Sequence, residues 1–257
     1  MESYCDVDRV YLKQINSKTA KDIIVKHHYT HKWTLCRVAY GIFYKTQESS
    51  LHFNDVVDKL IGCIVYSQPV GRRAASSLSD LLSNAEVFEL VRLFIHDGYG
   101  KNIESYCIAE SFRLLNKDFP HVKSVISYSD SEVNHSGTIY QATGFLYQGM
   151  NSLCLMPNYS ISVDGPPNYN WIHSRTVFSK WGSHNIEHLK KRIGKTFWRK
   201  KESCKHRYIK FIANKSINKK LKKSLKHEVL PYPKSSTYIE EIEKFEVKNN
   251  IYDSFFV

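Results

Sequence analysis

The feature that most constrains the fold lies at residues 86–149, where strand-like, loop, helix-like and again strand-like patterns follow one another without interruption. Residues 88–95 alternate apolar and polar side chains, which predicts a half-buried β-strand. Residues 102–115 carry apolar side chains at three- and four-residue spacing, which predicts a helix, and residues 124–129 are again strand-like. A strand, a crossover helix and a second strand predict a parallel pair of strands in an α/β domain.

The loop after the first of these strands has the sequence HDGYG at residues 96–100. Gly98 and Gly100 allow a tight turn, and the helix that follows directs its free N–H groups and its positive dipole end at this loop. The pattern therefore predicts an anion site, most naturally for a pyrophosphate. A pair of glycines before a helix also occurs in ordinary turns, and on the residues alone that alternative stays open.

After the second strand comes Tyr140-x-x-x-Gly144-Phe145, and the whole order resembles the acyl-CoA-binding half of the GNAT acetyltransferase fold. The longer strings ELVRLFIHDGYGKNIES, SYSD and HSGTIYQATGFLYQG, with a weaker match at His28-Tyr29, resemble the Mom family of phage DNA-modification proteins. The resemblance implies a GNAT-like mixed, strongly twisted sheet flanked by helices. It also implies the conversion of adenine in DNA to N6-carbamoylmethyladenine, which shields phage DNA from host restriction enzymes.

The same resemblance implies a donor and a set of site residues. The donor is acetyl-CoA or a related acyl-CoA, although a carbamoylmethyl group is not a simple product of acyl transfer. Arg92 and Ser105 match proposed cofactor-binding positions of the family, and the anion loop completes that set with Gly98, Gly100, Lys101 and Asn102. The catalytic set is Asp130, Tyr140, Tyr29 and His28.

Asp130 and Tyr140 are also supported by their positions. Asp130 follows the second strand at the carboxyl edge of the parallel pair, where α/β sheets bind ligands. Its carboxylate could take a proton from adenine N6, orient the base or coordinate a metal. Tyr140 could protonate a leaving thiolate. The alternatives are a helix cap for Asp130 and a core aromatic for Tyr140.

The segment KHHYTHKW at residues 26–33 concentrates groups that bind metals or move protons. His27 and His31 would lie on one helical face at the i,i+4 spacing of metal sites, but a solvated helix end explains them equally well. The family resemblance implies that the His28-Tyr29 pair belongs to the active site, with iron as a metal that His28, Tyr29 and Asp130 could hold. Together with Tyr128, the pair could also form the aromatic walls of a pocket for an extruded adenine.

The charge of the chain is concentrated in one region. Its net charge is +12, yet residues 171–227 contain 18 lysines and arginines and only two acids, so that the remaining 200 residues are slightly acidic. Basic residues interleaved with aromatic ones suit nucleic acid, whereas a solubilising lysine-rich tail is the alternative. The sequence thus predicts a catalytic core at residues 1–165 and a basic extension at residues 166–257 that binds double-stranded DNA. The predicted DNA-binding residues are Lys190, Lys191, Arg192, Lys195, Trp198, Arg199 and Lys200.

Other patterns predict secondary structure outside the central stretch. Residues 18–28 form a helix with Ser17 as its N-cap, and residues 37–44 and 59–66 form two strands joined by a long polar loop at 45–58. Residues 68–83 are rich in Gly, Ser, Arg and Pro, which predicts a flexible connection. Residues 215–226 form a basic helix.

Composition restricts the location. Six cysteines without a CxxC pair, and no apolar run approaching about 18 residues, predict a reduced cytoplasmic protein that neither carries a signal peptide nor spans a membrane. The resemblance implies a phage-encoded protein that acts in the host cell. Two other functions stay open, a GNAT-type acetyltransferase acting on RNA, protein or a small amine, and a non-catalytic DNA-binding protein on this fold. The oligomeric state is open too, with a homodimer among the options.

Overall fold

The computed structural model describes residues 4–49, 54–133, 135–150, 158–235 and 239–247. The strands are β1 (Val10–Ile15), β2 (Val38–Ser49), β3 (Asn54–Ser67), β4 (Val87–Ile95), β5 (Ser124–Asp130), β6 (Leu146–Met150), β7 (Tyr159–Ser162), β8 (Phe197–Lys201), β9 (Lys205–Phe211) and β10 (Ile242–Phe245). The α-helices are α1 (Ser17–His27), α2 (Ala74–Leu78), α3 (Ile103–Asp118), α4 (Thr138–Ala142), α5 (Ser174–Trp181), α6 (Ile186–Ile193) and α7 (Lys215–Lys223). Single 3₁₀ turns occur at Val7–Arg9, Asn84–Glu86 and Ser131–Val133.

The chain folds into two compact units, of which the first contains residues 1–129, 136–149 and 206–234. This unit is built on a seven-stranded sheet with the order β1-β2-β3-β4-β5-β9-β6. Strands β1 to β4 are antiparallel neighbours, and β5 is parallel to β4. The structure thus confirms the mixed α/β class, and it confirms the strand, helix and parallel strand predicted between residues 86 and 149.

Helices cover both faces of this sheet. One face packs against α3 and α4 through a large core that includes Phe88, Val125, Tyr140 and Tyr208. The opposite face is covered by α1 over β2 and β3, and by α2 and α7 over β4, β5 and β9. Neighbouring residues of a strand point to opposite faces, so that Val125 contributes to the first core and Ile126 to the second.

The prediction of a long loop at residues 45–58 is wrong for residues 45–49 and 54–58, which belong to β2 and β3, whereas residues 50–53 lie outside the described residues. Strands β2 and β3 pair from Val38 opposite Tyr66 to Ser49 opposite Asn54, with one register shift between Ile42 and Phe43. Backbone groups make the ladder of hydrogen bonds, so the polar side chains that suggested a loop do not prevent pairing. Helix α1 starts one residue earlier than predicted. Its N-cap is Asn16, whose side chain accepts the amide proton of Thr19 at 2.8 Å.

The predicted flexible connection at residues 68–83 contains a helix. In α2, Ala75 and Leu78 are fully buried against the core beneath α7. The Gly- and Ser-rich composition of the connection concealed these two apolar residues, which lie three positions apart on one helical face.

The second unit contains residues 130–135, 150–205 and 235–257. Its three-stranded antiparallel sheet has the order β10-β8-β7. Helices α5 and α6 pack on this sheet through Val177 and Leu189, which meet Ile161 and Phe197 in a small core. Both helices end at glycines in the left-handed conformation, Gly182 and Gly194.

This division differs from the predicted units at residues 1–165 and 166–257. Strand β9 and helix α7 return to the first unit, where Tyr208 and Ile209 are fully buried on opposite faces of the large sheet. The basic residues of KHRYIKF concealed this strand, because its buried residues Tyr208 and Ile209 are divided between two faces and lie among lysine, arginine and histidine.

Two other findings concern the predicted location. Cys5, Cys36, Cys63 and Cys107 are free, whereas Cys204 is disulfide-bonded, which differs from the reduced state predicted for all cysteines. Within the described ranges, none of the helices combines the length and apolar character needed to cross a bilayer.

Candidate functional site

An opening in the large sheet lies between β4 and β5. The parallel ladder joins Val87 to Ser124 and ends where Leu90 faces Ser127, whereas β4 stays paired with β3 as far as Ile95. The register of β3 and β4 shifts at the same level and leaves Val91 without an opposite residue. Bulges of this kind bend a strand and are common beside active sites. Beyond Leu90 and Ser127 the two strands therefore separate, and we call this gap the β4–β5 opening.

Tyr140 lies at the point where these strands separate. Its side chain is hydrogen-bonded to Ser127, and the Ser127 hydroxyl donates to the carbonyl of Leu90 at 3.0 Å. Burial raises the pKa of Tyr140 to about 12, and the negative charges of Tyr29 and Glu89 act in the same direction. The phenol is therefore protonated at neutral pH and can serve as a proton donor at the opening. The ring of Tyr140 also packs in the core. Its position is therefore compatible with both predicted roles, a proton donor and a core aromatic residue.

His28 and Tyr29 follow the end of α1 and form a stacked pair with ring centroids 4.4 Å apart. His28 is buried, and its Nδ1 accepts the amide proton of Thr30 at 3.1 Å. Tyr29 is 55% exposed although it influences the ionisation of Tyr140. A buried imidazole thus supports an exposed aromatic ring beside the opening, which is a suitable surface for a planar group.

Arg92 connects this aromatic pair to β4. Its Nε and Nη2 donate to the carbonyl of Lys32, each at 3.3 Å, and its Nη1 donates to the carbonyl of Val91 at 2.6 Å. Burial lowers the pKa of Arg92, an effect that the nearby Tyr29 and Glu89 oppose. The guanidinium thus fixes the loop after α1 against the bulged part of β4. Its contact with a cofactor stays a prediction.

Glu89 is a site residue that the sequence patterns identified only as a polar position of the strand. Its carboxylate raises the pKa values of Arg92, Tyr128 and Tyr140, which places it close to all three. The sequence did contain a signal for this site residue, because Glu89 is an acid in the middle of a strand among Val87, Phe88 and Leu90. Partial burial of a carboxylate beside an arginine and two tyrosines is typical of functional sites.

Tyr128 lies on the next strand and faces the same side of the sheet as Glu89. Burial raises the pKa of Tyr128, whereas the guanidinium of Arg207 lowers it and Glu89 raises it further. Tyr128 and Glu89 therefore lie on the side of the sheet that carries α1, α2 and α7, and Tyr29 follows α1, which packs on that side. We call this side the acceptor face, and the side that carries α3 and α4 the donor face.

The glycine loop adjoins a cavity on the donor face. Gly98 and Gly100 have φ angles of +93° and +91°, and Asn102, the N-cap of α3, has a φ of +66°. The cavity has a volume of about 660 Å³, which suits a small-molecule ligand. It is lined by Tyr4, Cys5, Val7, Lys101, Asn102, Ser105, Tyr106, Ala109, Ala142, Thr143 and Gly144.

The residues around this cavity agree with the predicted anion site. Lys101 and Asn102 lie at the N-terminal end of α3, where amide groups without helical partners favour an anion. Ser105 donates to the carbonyl of Asn102 at 2.9 Å. Gly100 packs directly against the backbone of Cys5, whose amide donates to Lys101, whereas the position of a Cβ at Gly98 has open space around it.

Asp130 belongs to the second unit and has several partners there. Its carboxylate accepts the amide proton of Glu132 at 3.0 Å and the hydroxyl proton of Ser203 at 2.5 Å, and it lies 3.6 Å from Nζ of Lys205. These contacts agree with the cap that was weighed as its alternative role. A catalytic role for Asp130 stays a prediction.

The residues predicted to hold iron do not fit a metal site. Within the part of the chain that the structure describes, no three His, Cys, Asp or Glu side chains come together as metal ligands. The Nδ1 atom of His28 is occupied by Thr30. His27 stacks on Phe94, and His31 lies beyond the helix end with a φ of +48°, so these two do not share a helical face.

Two of the predicted DNA-binding residues have partners within the second unit. Lys200, whose side chain is only 11% exposed, forms ion pairs with Glu132 at 2.8 Å and Glu240 at 2.9 Å. Arg199 donates to Glu243 at 2.6 Å, and its guanidinium lies over the ring of Tyr159. Their charges are neutralised inside the fold, which differs from the predicted contact with DNA.

The other predicted residues of this set lie on and after α6. Lys190 pairs with Glu187 at 2.9 Å, and Trp198 packs over Gly165. Lys191, Arg192 and Lys195 are exposed. The structure therefore leaves only part of the set available to a phosphate backbone.

Comparisons with known proteins agree with the resemblance seen in the sequence. A model of the Mom protein family matches residues 9–234. A relative from Escherichia phage Mu, named Methylcarbamoylase mom, is 24% identical over 225 residues, which cover 87% of this chain and 83% of the relative.

Two acetyltransferases are among the solved structures to which this chain is similar. NAA60 of Arabidopsis thaliana in complex with a bisubstrate analogue has a TM-score of 0.43 and 11% identity, with 79% of this chain and 98% of that chain covered. Spermidine N-acetyltransferase of Vibrio cholerae in complex with CoA and spermine has a TM-score of 0.39 and 8% identity, with 79% and 96% covered.

Proposed function

Because the chain belongs to the Mom protein family, we propose that it is a phage-encoded transferase that converts adenine in DNA to N6-carbamoylmethyladenine and so protects that DNA from host restriction. The relative from phage Mu is named a methylcarbamoylase, which supports this activity. At the level of residues, the observation that carries the proposal is the β4–β5 opening. It lies between the donor face, which carries the cavity beside α3, and the acceptor face, which carries the exposed ring of Tyr29 and the half-buried ring of Tyr128.

The donor that we propose is acetyl-CoA or a related acyl-CoA, held in the cavity beside α3. A diphosphate would accept hydrogen bonds from amides of the loop at Gly98 and Gly100 and lie near Nζ of Lys101. Asn102 and Ser105 would support the same segment. When bound, the thioester would supply an activated carbonyl carbon that an amine can attack with release of the CoA thiolate. This step alone gives an N-acyl adenine, so the carbamoylmethyl product requires in addition a source of its amide nitrogen.

Tyr140 is the proposed proton donor to the leaving group. A thiolate that leaves at the β4–β5 opening needs a proton, and the phenol of Tyr140 carries one there at neutral pH, since its pKa is raised by burial to about 12 and not lowered. The hydrogen bond with Ser127, which is itself bonded to Leu90, fixes the position of the phenol. Replacement by Phe removes this proton and leaves the packing of the ring unchanged.

The acceptor that we propose is an adenine extruded from the duplex. Within a duplex the N6 group is paired and stacked, so the enzyme must expose it at a cost of a few kcal/mol. Tyr29, supported by His28, and Tyr128 offer aromatic surfaces for the base on the acceptor face. Arg92 keeps Tyr29 in place through the carbonyl of Lys32.

A general base would assist the transfer, because N6 of adenine is a poor nucleophile and loses a proton when it bonds to the donor carbon, and a carboxylate can serve as that base. Glu89 is well placed for this step, since its charge acts on Tyr128 on one strand and on Tyr140 at the opening. Asp130 is the second proposed base, although its bonds to Ser203 and the amide of Glu132 also give it a structural role. The two variants Glu89→Gln and Asp130→Asn distinguish between them.

Mass spectrometry of nucleosides from plasmid DNA tests the proposal. Cells that express the wild-type protein should contain a modified adenine, and their plasmid should resist some restriction enzymes. Tyr140→Phe should reduce the modified adenine at least about 100-fold, as loss of a general acid does, with an unchanged melting temperature. Unmodified DNA despite soluble protein would contradict the proposal. Acetylation of RNA, protein or a small amine by the purified protein would favour the other transferase function.

A further inference from the structure

Helix α7 presents an unusually dense row of positive charge. Five of its nine residues are lysines, all of them exposed: Lys215, Lys219, Lys220, Lys222 and Lys223. Its apolar side is narrow and consists of Leu221, which is 2% exposed, with Ile217 beside it. We call the five lysines the α7 surface.

The charges of the α7 surface are not balanced within the fold. Among the residues that the structure describes, no ion pair joins any of these five lysines to a carboxylate. The nearby acid Asp80 pairs with Lys226, which follows the helix. Lys215, Lys219 and Lys223 succeed one another at i,i+4 spacing, where like charges destabilise a helix. An external polyanion would relieve this repulsion.

The α7 surface belongs to the acceptor face of the sheet. Helix α7 packs over Ile126 and Ile209, which point to the same side as Tyr128. It is also tied to α2, because Ser224 Oγ lies 2.6 Å from Ser79 Oγ and the amide of Lys226 donates to Leu78.

Helix α2 leads on to the proposed site for the base. The guanidinium of Arg207 donates to Ser77 of α2 at 2.8 Å and also lowers the pKa of Tyr128. A continuous set of contacts thus connects the α7 surface with the aromatic ring that we assign to the extruded adenine. Arg72 and Arg73, both exposed, precede α2 and extend the positive charge on this face.

We propose that the α7 surface binds the phosphate backbone of the DNA duplex whose adenine enters the acceptor face, an inference that rests on the proposed function. The nine residues of α7 span about 13 Å, over which a duplex carries about eight phosphate charges. Lysine is suited to such contacts because it is a mobile point charge that needs no fixed geometry. The contacts position the duplex without reading its sequence.

Binding of a labelled DNA duplex by the purified full-length protein, measured by fluorescence anisotropy at several salt concentrations without donor, tests this inference. The variant carries Lys219→Gln, Lys220→Gln, Lys222→Gln and Lys223→Gln. A matched control carries Lys13→Gln, Lys117→Gln, Arg175→Gln and Lys180→Gln, which removes the same charge from exposed positions outside α7 and outside the predicted DNA-binding set. A third variant with arginine at the four α7 positions keeps the charge.

The α7 variant should bind at least about 30-fold more weakly at low salt. Its log–log salt slope should become shallower by about 0.9 for each phosphate that the variant no longer neutralises. The control should stay within about threefold of the wild type, and the arginine variant should retain binding. Circular dichroism and melting temperature should be the same in all four proteins.

Several results would overturn the inference. Equal losses of affinity in the α7 variant and the control would show that only net charge matters, and an unchanged α7 variant would place the backbone contacts elsewhere. If the wild-type protein bound an RNA duplex more tightly than the DNA duplex, and the α7 variant failed to bind that RNA, RNA would replace DNA as the proposed partner. Absence of duplex binding by the wild-type protein would instead contradict the proposed function itself.

Discussion

In strand β8, Arg199 and Lys200 point to carboxylates of their own unit, whereas in helix α7 five lysines point to solvent without an acid among the described residues. Both segments come from the same basic region, which has 18 basic and two acidic residues between 171 and 227. The carboxylates that neutralise β8, Glu132, Glu240 and Glu243, all lie outside that region. Basic composition therefore does not by itself identify a binding surface, because partners that are distant in sequence decide which charges remain available.

The basic side chains of β8 and α7 also have different roles, the first within the fold and the second at the surface. In β8 a half-buried Lys200 joins two glutamates and lies over the ring of Trp171. In α7 the helix is held by its apolar side chains, and its lysines extend into solvent. Substitutions in the two segments should thus change different properties, stability in β8 and duplex affinity in α7.

The largest expected effect is that of removing the apolar support of α7. Leu221→Ala deletes a fully buried side chain and should lower the free energy of unfolding by about 3 kcal/mol. Because the helix loses its attachment, duplex affinity should fall as well. Urea denaturation and anisotropy measure the two effects.

Leu189→Ala is a matched control for this substitution, because Leu189 is equally buried in α6 of the second unit. It should cost a similar free energy and leave duplex affinity unchanged. If Leu189→Ala weakened binding as much as Leu221→Ala, the assignment of the duplex to α7 would lose its support.

The next effect concerns the ion pairs of β8. Lys200→Met should lower the free energy of unfolding by about 2 kcal/mol, because it leaves Glu132 and Glu240 without their shared partner. Duplex affinity should change less than twofold. A large loss of duplex affinity in Lys200→Met with unchanged stability would contradict the comparison between β8 and α7. The matched substitution in α7 is Lys220→Gln, which should alter the free energy of unfolding by less than about 0.5 kcal/mol.

A smaller effect is expected at the start of α7. Asn214 caps the helix through its side-chain oxygen, which accepts the amide proton of Ile217 at 2.9 Å. Asn214→Ala should cost about 1 kcal/mol, whereas Asn214→Ser should cost less because serine is also a good N-cap. Equal stabilities of the two variants in thermal denaturation would contradict this role of the cap.

The smallest effect is a pH dependence of the second unit. Burial opposes the charged form of Lys200, but hydrogen bonds with Glu132 and Glu240 outweigh it and raise the pKa of Lys200 above its ordinary value of 10.5. The pairing therefore contributes stability that is fully present below pH 10.5 and is lost as the pH rises through the higher value. The free energies of unfolding of the wild type and of Lys200→Met should converge at pH values above the raised pKa of Lys200. A difference between the two proteins that stays constant with pH would contradict the pairing.

The central fold could be predicted because its signals are local. Strand β4, helix α3 and strand β5 each show their own periodicity, and the structure has all three within three residues of the predicted ends. Strand β9 was missed because its apolar residues are divided between two faces and surrounded by lysine, arginine and histidine. Strand β9 lies between β5 and β6 in the large sheet, and a local sequence pattern does not show which strands are neighbours.

The site was predicted in part for the same reason. His28, Tyr29 and Tyr140 were named through motifs, and the family match confirms the resemblance that suggested them, whereas their roles in the site stay predictions. Glu89 was missed as a site residue because a single acid in an alternating strand resembles an outward-facing position. The partners of Asp130 and Lys200 are long-range contacts, 73 and 68 residues away at Ser203 and Glu132, so the sequence could not show that both side chains are engaged.

Chemical footprinting of lysines, with and without a DNA duplex, tests the account most directly. Acetylation of amino groups by a small reagent is measured for each lysine by peptide mass spectrometry. In the free protein, Lys219, Lys220, Lys222 and Lys223 should react readily, whereas Lys200 should react slowly because it is half-buried and paired. Addition of the duplex should protect the α7 lysines and leave Lys200 unchanged. Protection of β8 with unchanged reactivity of α7 would contradict the account.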